Sequence, residues 1–344
     1  MTGWRFADDL DAIVTGLDWS GLKGARLFVT GGTGFIGRWM LEGLREADLR
    51  LGLGCDVTIL TRDPAAFAAK APHLAAHPAF RFVTGDVLNM AADGARYTHI
   101  LHAATDASAA LNEHDPRRMF ETVVDGTRRA LDFAVASKAD RVLLFSSGAV
   151  YGAQPWELTH VGEDWRGGPD PLDPRSAYGE GKRAAEMLGA IMARQFGLDI
   201  VTARIFTLLG PLLSLDIHFA AGNFIRDALA GRTITVQGAG TAVRSYLYTT
   251  DLVRWLWAIL LHGQGGKAYN VGSEEAVSIA ELATRVSAVL GGGAPEILGR
   301  PDPGWNPGRY VPSTERARTE LGLESTIGLD EAIRRTAIWN GWQG

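Results

Sequence analysis

Tyr178 and Lys182, in the run YGEGK, stand four residues apart and so share one face of a helix. An ammonium held beside a phenol, together with an oxidised nicotinamide, lowers the phenol pKa and fits the tyrosine to act as acid or base. Ser147 closes the apolar run RVLLFSS, and from a strand end it can hydrogen-bond the same substrate oxygen. A second constellation is VTGGTGFIG, with Gly31, Gly34 and Gly37 between an apolar run and an amphipathic one. Gly31 permits a tight turn, Gly34 a close approach of backbone to a pyrophosphate, and Gly37 the packing of helix on strand. The spacing is G-x-x-G-x-x-G rather than the commoner G-x-G-x-x-G. Its place at the first strand–helix junction marks it as a dinucleotide turn. Gly31, Thr33, Gly34, Phe35, Ile36, Gly37 and Arg38 are its candidate cofactor contacts.

Such residues need a frame that brings strand ends and helix starts to one edge. From Ala25 the pattern alternates strand and helix, as in a Rossmann-type, doubly wound parallel α/β sheet. ARLFVT, CDVTILT, FRFVTGDV, YTHILHAA, RVLLFSS and DIVTARIF read as strands. GRWMLEGLREA reads as a helix, and longer helices are predicted from about Pro116 to Ser137 and from about Ser176 to Phe196. Beyond Gly210 the alternation fails: HFAAGNFIRDALAG and DLVRWLWAILLHG read as helices, RTITVQG and RSYLYTT as short strands, and Gly291–Gly308 as an irregular loop. The division expected is a helical preamble over 1–24, a dinucleotide-binding domain over 25–210 that takes back part of 240–270, and a smaller α/β substrate-binding domain over 211–344.

The chain has 344 residues, of which 46% are hydrophobic and 21% charged, which excludes a disordered or fibrous protein. A net charge of -5 gives no electrostatic reason to expect nucleic acid or a membrane surface. No apolar run approaches the roughly 20 residues of a membrane span, and MTGWRFADDL is no signal peptide, so a cytoplasmic protein is expected. The single cysteine, Cys55, excludes an internal disulfide and reads as buried rather than nucleophilic. No His/Asp/Glu cluster has metal-ligand spacing. Trp255 and Trp257 lie in an apolar helix and read as core, whereas Trp305 is a candidate for sugar stacking. His218, in PLLSLDIHFAAG, reads equally as pocket-shaping or structural.

Together VTGGTGFIG, THILHAAT, FSSGAVYG, YGEGKRAAE, GNFIRDALAG, VRSYLYTTDLV and YNVGS resemble the extended short-chain dehydrogenases/reductases that act on nucleotide sugars, the NAD-dependent epimerase/dehydratase family. The resemblance runs from about Ala25 to the end. It implies that Ser147, Tyr178 and Lys182 are catalytic, that Asp86 and Val87 lie near the adenine, and that His102, Ala103 and Ala104 lie beside the cofactor. It also implies that Thr105, Ser147, Thr207, Asn223, Arg244 and Arg309 meet the nucleotide-sugar substrate. The arginines suit a diphosphate because a guanidinium fork donates two parallel hydrogen bonds. A homodimer is implied as well, formed through the two long helices. The chain departs from the family at Thr207 and Val123, where asparagine is usual, so sugar specificity does not carry over.

Dehydratases of this family carry Asp and Glu directly after the residue matching Ser147, and the decarboxylases a Glu. This chain has Gly148 and Ala149, neither of which moves a proton. Unless a carboxylate such as Glu163 arrives from a loop, dehydration lacks its acid and base. Redox at sugar C4 is then expected, as 4-ketosugar reduction or, alternatively, 4-epimerisation with a tightly held NAD. A dehydratase or decarboxylase ranks third, and retention of the Tyr/Lys pair argues against a non-catalytic dinucleotide-binding regulator. At the end of the second strand an Asp would accept the ribose hydroxyls and favour NAD. Here Thr61 and Arg62 stand there, with Arg38 after the glycine turn, which favours NADP, with NAD as the alternative.

Overall fold

The computed structural model describes residues 3–105, 109–216, 220–302 and 306–344, so Trp305 and His218 lie outside the described residues. The strands are β1 (Arg26–Thr30), β2 (Asp56–Thr61), β3 (Phe80–Thr84), β4 (His99–His102), β5 (Arg141–Ser147) and β6 (Asp199–Ile205). With an edge strand, Ala268–Val271, they make one seven-stranded parallel sheet. Its order is the edge strand, β6, β5, β4, β1, β2, β3. The strands read as unbroken apolar runs because helices cover both faces. Within β1, Leu27 and Val29 pack with Trp39 and Leu41 on one face, while Phe28 packs with Leu131 and Phe133 on the other.

Helix α1 (Phe6–Thr15) and helix α2 (Phe35–Leu51) pack with Thr249–His262, where Trp255 and Trp257 are buried as expected. Helix α2 stops at Gly52, which takes the left-handed conformation at φ 60°. The helices Pro116–Ala136 and Ala177–Phe196 lie against each other, within a residue of their predicted bounds. The preamble is tied down by a fully buried carboxylate. Asp9 accepts from Trp4 Nε1 at 3.1 Å, Arg335 Nη1 at 2.7 Å and the Tyr248 hydroxyl at 2.5 Å.

Beyond Gly210 the structure departs from the sequence reading. RSYLYTT is not one strand: Val243–Arg244 and Leu247–Tyr248 belong to different small sheets. A strand lasts only as long as its partner, and Ser245–Tyr246 carry the chain from one partner set to the other. RTITVQG keeps only Thr235–Val236, paired with Glu296–Ile297 from the Gly/Pro stretch that reads as irregular. Helices Ile279–Leu290 and Leu329–Trp339 carry a second core with Leu282, Val286 and Ile333, and neither is assigned in the sequence reading. The first had a signal: Ser278 and Glu281 form a capping box.

Candidate active site

Strand order reverses between β1 and β4, the crevice where an open α/β sheet binds its ligand. Gly31 ends β1 with φ +71°, and an added Cβ would stand 2.5 Å from the carbonyl carbon of Ala103 and the nitrogen of Ala104. A Cβ on Gly37 would stand 2.2 Å from the Gly31 carbonyl oxygen, so Gly37 packs helix α2 onto the turn itself. Gly34 differs, since its Cβ would meet only that same oxygen, at 3.4 Å. It leaves open space over the start of α2, where no side chain caps the helix. Uncapped first-turn amides beside a bare glycine fit a pyrophosphate.

Around the turn, the Thr33 and Thr61 hydroxyls are 3.3 Å apart. Arg62 is exposed just past β2, while Arg38 Nε meets Glu42 at 3.4 Å. Glu42 is 2% exposed and is also held by His73 Nε2 at 2.8 Å. Asp86 caps its own turn by accepting from Leu88 N at 2.9 Å, and Val87 packs over Gly126. Ala103 N donates to Thr30 O and Ala104 N to Thr30 Oγ1. The His102 ring turns inward. Its Nδ1 is 2.8 Å from Thr30 Oγ1 and its Nε2 is 3.1 Å from Thr127 Oγ1. Thr127 gives its one proton to Val123 O, so His102 donates from Nε2 and accepts at Nδ1. Complete burial, with Lys182 nearby, drops its pKa to about 3, and the ring stays neutral while stitching strands to helix.

Ser147, Tyr178 and Lys182 meet at the carboxyl end of β5. Lys182, 4% exposed, donates to Thr105 Oγ1 at 2.8 Å and Phe145 O at 2.7 Å. Burial brings its pKa down to about 8, against a smaller opposing pull from Glu186. Its Nζ lies 5.9 Å from the centre of the Tyr178 ring. Burial raises the Tyr178 phenol, and a hydrogen bond with Ser147 partly offsets this. Ser147 Oγ also accepts from Ala149 N at 3.2 Å and is 3.4 Å from the hydroxyl of Tyr310, which the sequence motifs do not mark. Among the described residues, no hydrogen bond of these four side chains involves a carboxylate. Glu163 accepts from Asn270 N on the edge strand at 2.8 Å, and Glu186 pairs with Arg204 at 2.7 Å.

The substrate candidates divide. Arg244 and Arg309 lie on one small ribbon, where Arg309 pairs with Val243 and Tyr310 with Arg244. The Arg309 guanidinium lies 4.6 Å over the Trp156 ring, and its buried Nε–H has no partner among the described residues. Arg244 donates to Val243 O at 2.8 Å, and burial lowers its pKa. Thr105 already faces Lys182, and Thr207 accepts from Leu247 N through its carbonyl. Asn223, on Ala220–Leu229, accepts from Arg226 at 3.3 Å and joins neither arginine of the ribbon. Trp156 and Gln154 are further residues the sequence does not mark. Gln154 Oε1 accepts from Val311 N at 3.0 Å and so ties the loop after β5 to the ribbon. Their only sequence signal is nearness to FSSGAVYG.

A family model described as the NAD dependent epimerase/dehydratase family matches residues 27–272. UDP-glucuronic acid decarboxylase 1 of Xenopus tropicalis is 30% identical over 90% of this chain and 71% of its own length. UDP-glucuronic acid decarboxylase 6 of Arabidopsis thaliana is 31% identical, covering 90% and 86%. Among solved structures, DesIV, a dTDP-glucose 4,6-dehydratase from Streptomyces venezuelae with NAD and TYD bound, is 26% identical with a TM-score of 0.75, covering 91% of this chain and 96% of its own. UDP-glucose 4-epimerase from Thermus thermophilus, in complex with NAD, is also 26% identical, with a TM-score of 0.73 and coverage of 92% and 99%.

Proposed function

The chain belongs to the NAD-dependent epimerase/dehydratase family, and on that premise we propose that it is a nucleotide-diphosphate-sugar oxidoreductase acting at sugar C4, as a 4-ketosugar reductase. The observation that carries this reading is the cluster of Ser147, Tyr178 and Lys182 beside the glycine turn, hydrogen-bonded to hydroxyls and, among the described residues, to no carboxylate. A nicotinamide dinucleotide, when bound, supplies or accepts the hydride. Tyr178 delivers the proton to the C4 oxygen, Ser147 orients that oxygen, and Lys182 favours the phenolate and reaches the ribose. Gly148 and Ala149 offer no group for the proton transfers of dehydration, which supports simple redox over the chemistry for which DesIV is named. Arg309, whose buried Nε–H has no partner among the described residues, and Arg244 are the proposed diphosphate ligands. Gly31, Gly34 and the first turn of α2 hold the dinucleotide pyrophosphate.

NADP is the proposed cofactor. Arg62 follows the end of β2, where Thr61 stands in place of a carboxylate, and Arg38 lies in the first turn of α2. The alternative is a 4-epimerase with tightly held NAD, and the NAD bound in the two solved relatives favours it. A homodimer is proposed through the two long helices, on which Met187 and Ile191 are exposed, Met187 at 61%. A monomer in size-exclusion light scattering would reject it. The deciding assay for function is mass spectrometry of products from UDP-, dTDP-, GDP- and CDP-sugars and their 4-keto forms, with NADH or NADPH. A 4-keto sugar reduced only with added NADPH supports the reductase; epimerisation without added cofactor replaces it with the alternative. Unchanged turnover in Tyr178→Phe would remove both.

A further inference from the structure

Tyr310 reaches the catalytic cluster from the far end of the chain. Its backbone pairs with Arg244, its ring centre lies 4.6 Å from that of Phe206, and its hydroxyl is 3.4 Å from Ser147 Oγ. That hydroxyl and the Phe206 ring each stand 2.6 Å from where a Cβ on Gly148 would be, so glycine leaves room for both. A serine hydroxyl has one proton and two lone pairs. Ala149 N–H fills one lone pair of Ser147 at 3.2 Å. Burial of much of the side chain raises the Tyr310 phenol far above its ordinary value, so its proton stays on and is available to donate. Among the described residues Ser147 Oγ is the acceptor it has. With Tyr310 as the donor both lone pairs are taken, and the serine's own proton is free for Tyr178.

We infer that Tyr310 is a positioning residue that fixes Ser147 as a hydrogen-bond donor toward Tyr178 and the substrate oxygen. This rests on the proposed catalytic role of Ser147 and Tyr178. A donor aimed at the Tyr178 oxygen favours its phenolate, so the Tyr310 hydroxyl makes Tyr178 ionise at lower pH. Among the described residues, the other groups facing this cluster are Lys182 from the helix of Tyr178, Arg244 from the strand beside Tyr310, and Tyr151 from the turn after β5. Lys182, with its Nζ 5.9 Å from the Tyr178 ring centre, favours the phenolate in the same direction, Arg244 acts on the Tyr310 phenol, and Tyr151, pushed by burial to about 12, stays neutral. None of them depends on the Tyr310 hydroxyl for its place.

The test is an ultraviolet tyrosinate titration of the full chain saturated with NAD or NADP, which needs no sugar nucleotide. The step of interest is the one that Tyr178→Phe abolishes. Tyr310→Phe keeps the ring on Phe206, removes the hydroxyl, and is expected to move that step up by about one pH unit. Dinucleotide Kd should stay within about twofold, because no phosphate contact changes. Gly148→Ala displaces the hydroxyl by a different route and should give the same shift, with no further shift in the double variant. A step that stays in place in both variants overturns the inference and leaves Tyr310 as packing. A Tyr178→Phe protein that loses no step overturns the inference and the catalytic reading of Tyr178 together.

Discussion

Lys182 is buried at a cost to folding, and that cost has a pH signature. Its folded pKa of about 8 lies below the ordinary 10.5, because burial disfavours the ammonium. The difference corresponds to about 3 kcal/mol of stability missing whenever both states are protonated. Between the two values the unfolded chain binds more protons, so stability rises with pH through that window; below it the deficit is complete. From about pH 7 to about pH 9.5 the recovery is about 2 kcal/mol. Cys55 works the other way: burial raises its thiol to about 12, so the unfolded chain ionises first and stability falls as pH rises. The wild-type slope alone is therefore ambiguous. Urea unfolding of the dinucleotide-free protein and of Lys182→Met at the two pH values removes the ambiguity, since Cys55 is common to both. The variant loses its bonds to Thr105 and Phe145, but that loss does not depend on pH. The stability gap, wild type minus variant, should shift by about 2 kcal/mol in favour of the wild type on going to the higher pH. Parallel slopes would refute a depressed Lys182.

The glycines of the turn should separate stability from binding. Gly37→Ala pushes a Cβ to 2.2 Å from a backbone oxygen and should cost about 1–3 kcal/mol in urea unfolding. Gly34→Ala meets only a 3.4 Å contact, so stability should change by less than about 1 kcal/mol while dinucleotide affinity, read by calorimetry, falls. Asp9→Ala leaves Arg335 facing a void and should destabilise by about 3–5 kcal/mol; thermal unfolding unchanged from wild type would show that the preamble is not structural. Arg62→Ala should weaken NADP binding by roughly tenfold and leave NAD unaffected. Equal losses for both cofactors would end the case for a 2'-phosphate contact.

Local order carried the glycine turn, the Tyr178–Lys182 spacing, Ser147 at a strand end and the two long helices. Each depends on residues a few positions apart, whose geometry the backbone repeats dictate. The strands of the parallel sheet were legible for a related reason: burial on both faces leaves unbroken apolar runs. What lies beyond Gly210 was not legible, because two-residue strands carry no period and exist only where a distant partner supplies hydrogen bonds. The same holds within the site. That Arg309 stacks on Trp156, that His73 reaches the buried Glu42, and that the His102 ring faces the core all follow from contacts between remote segments. Tyr310 is the clearest case. Its hydroxyl meets Ser147 across 163 positions, through a gap that Gly148 leaves open. Sequence by itself determined which groups could carry a proton and which turn could hold a phosphate. Tertiary structure alone decided which hydroxyls face them, because hydrogen-bond direction is set by whatever donors and acceptors packing leaves unpaired.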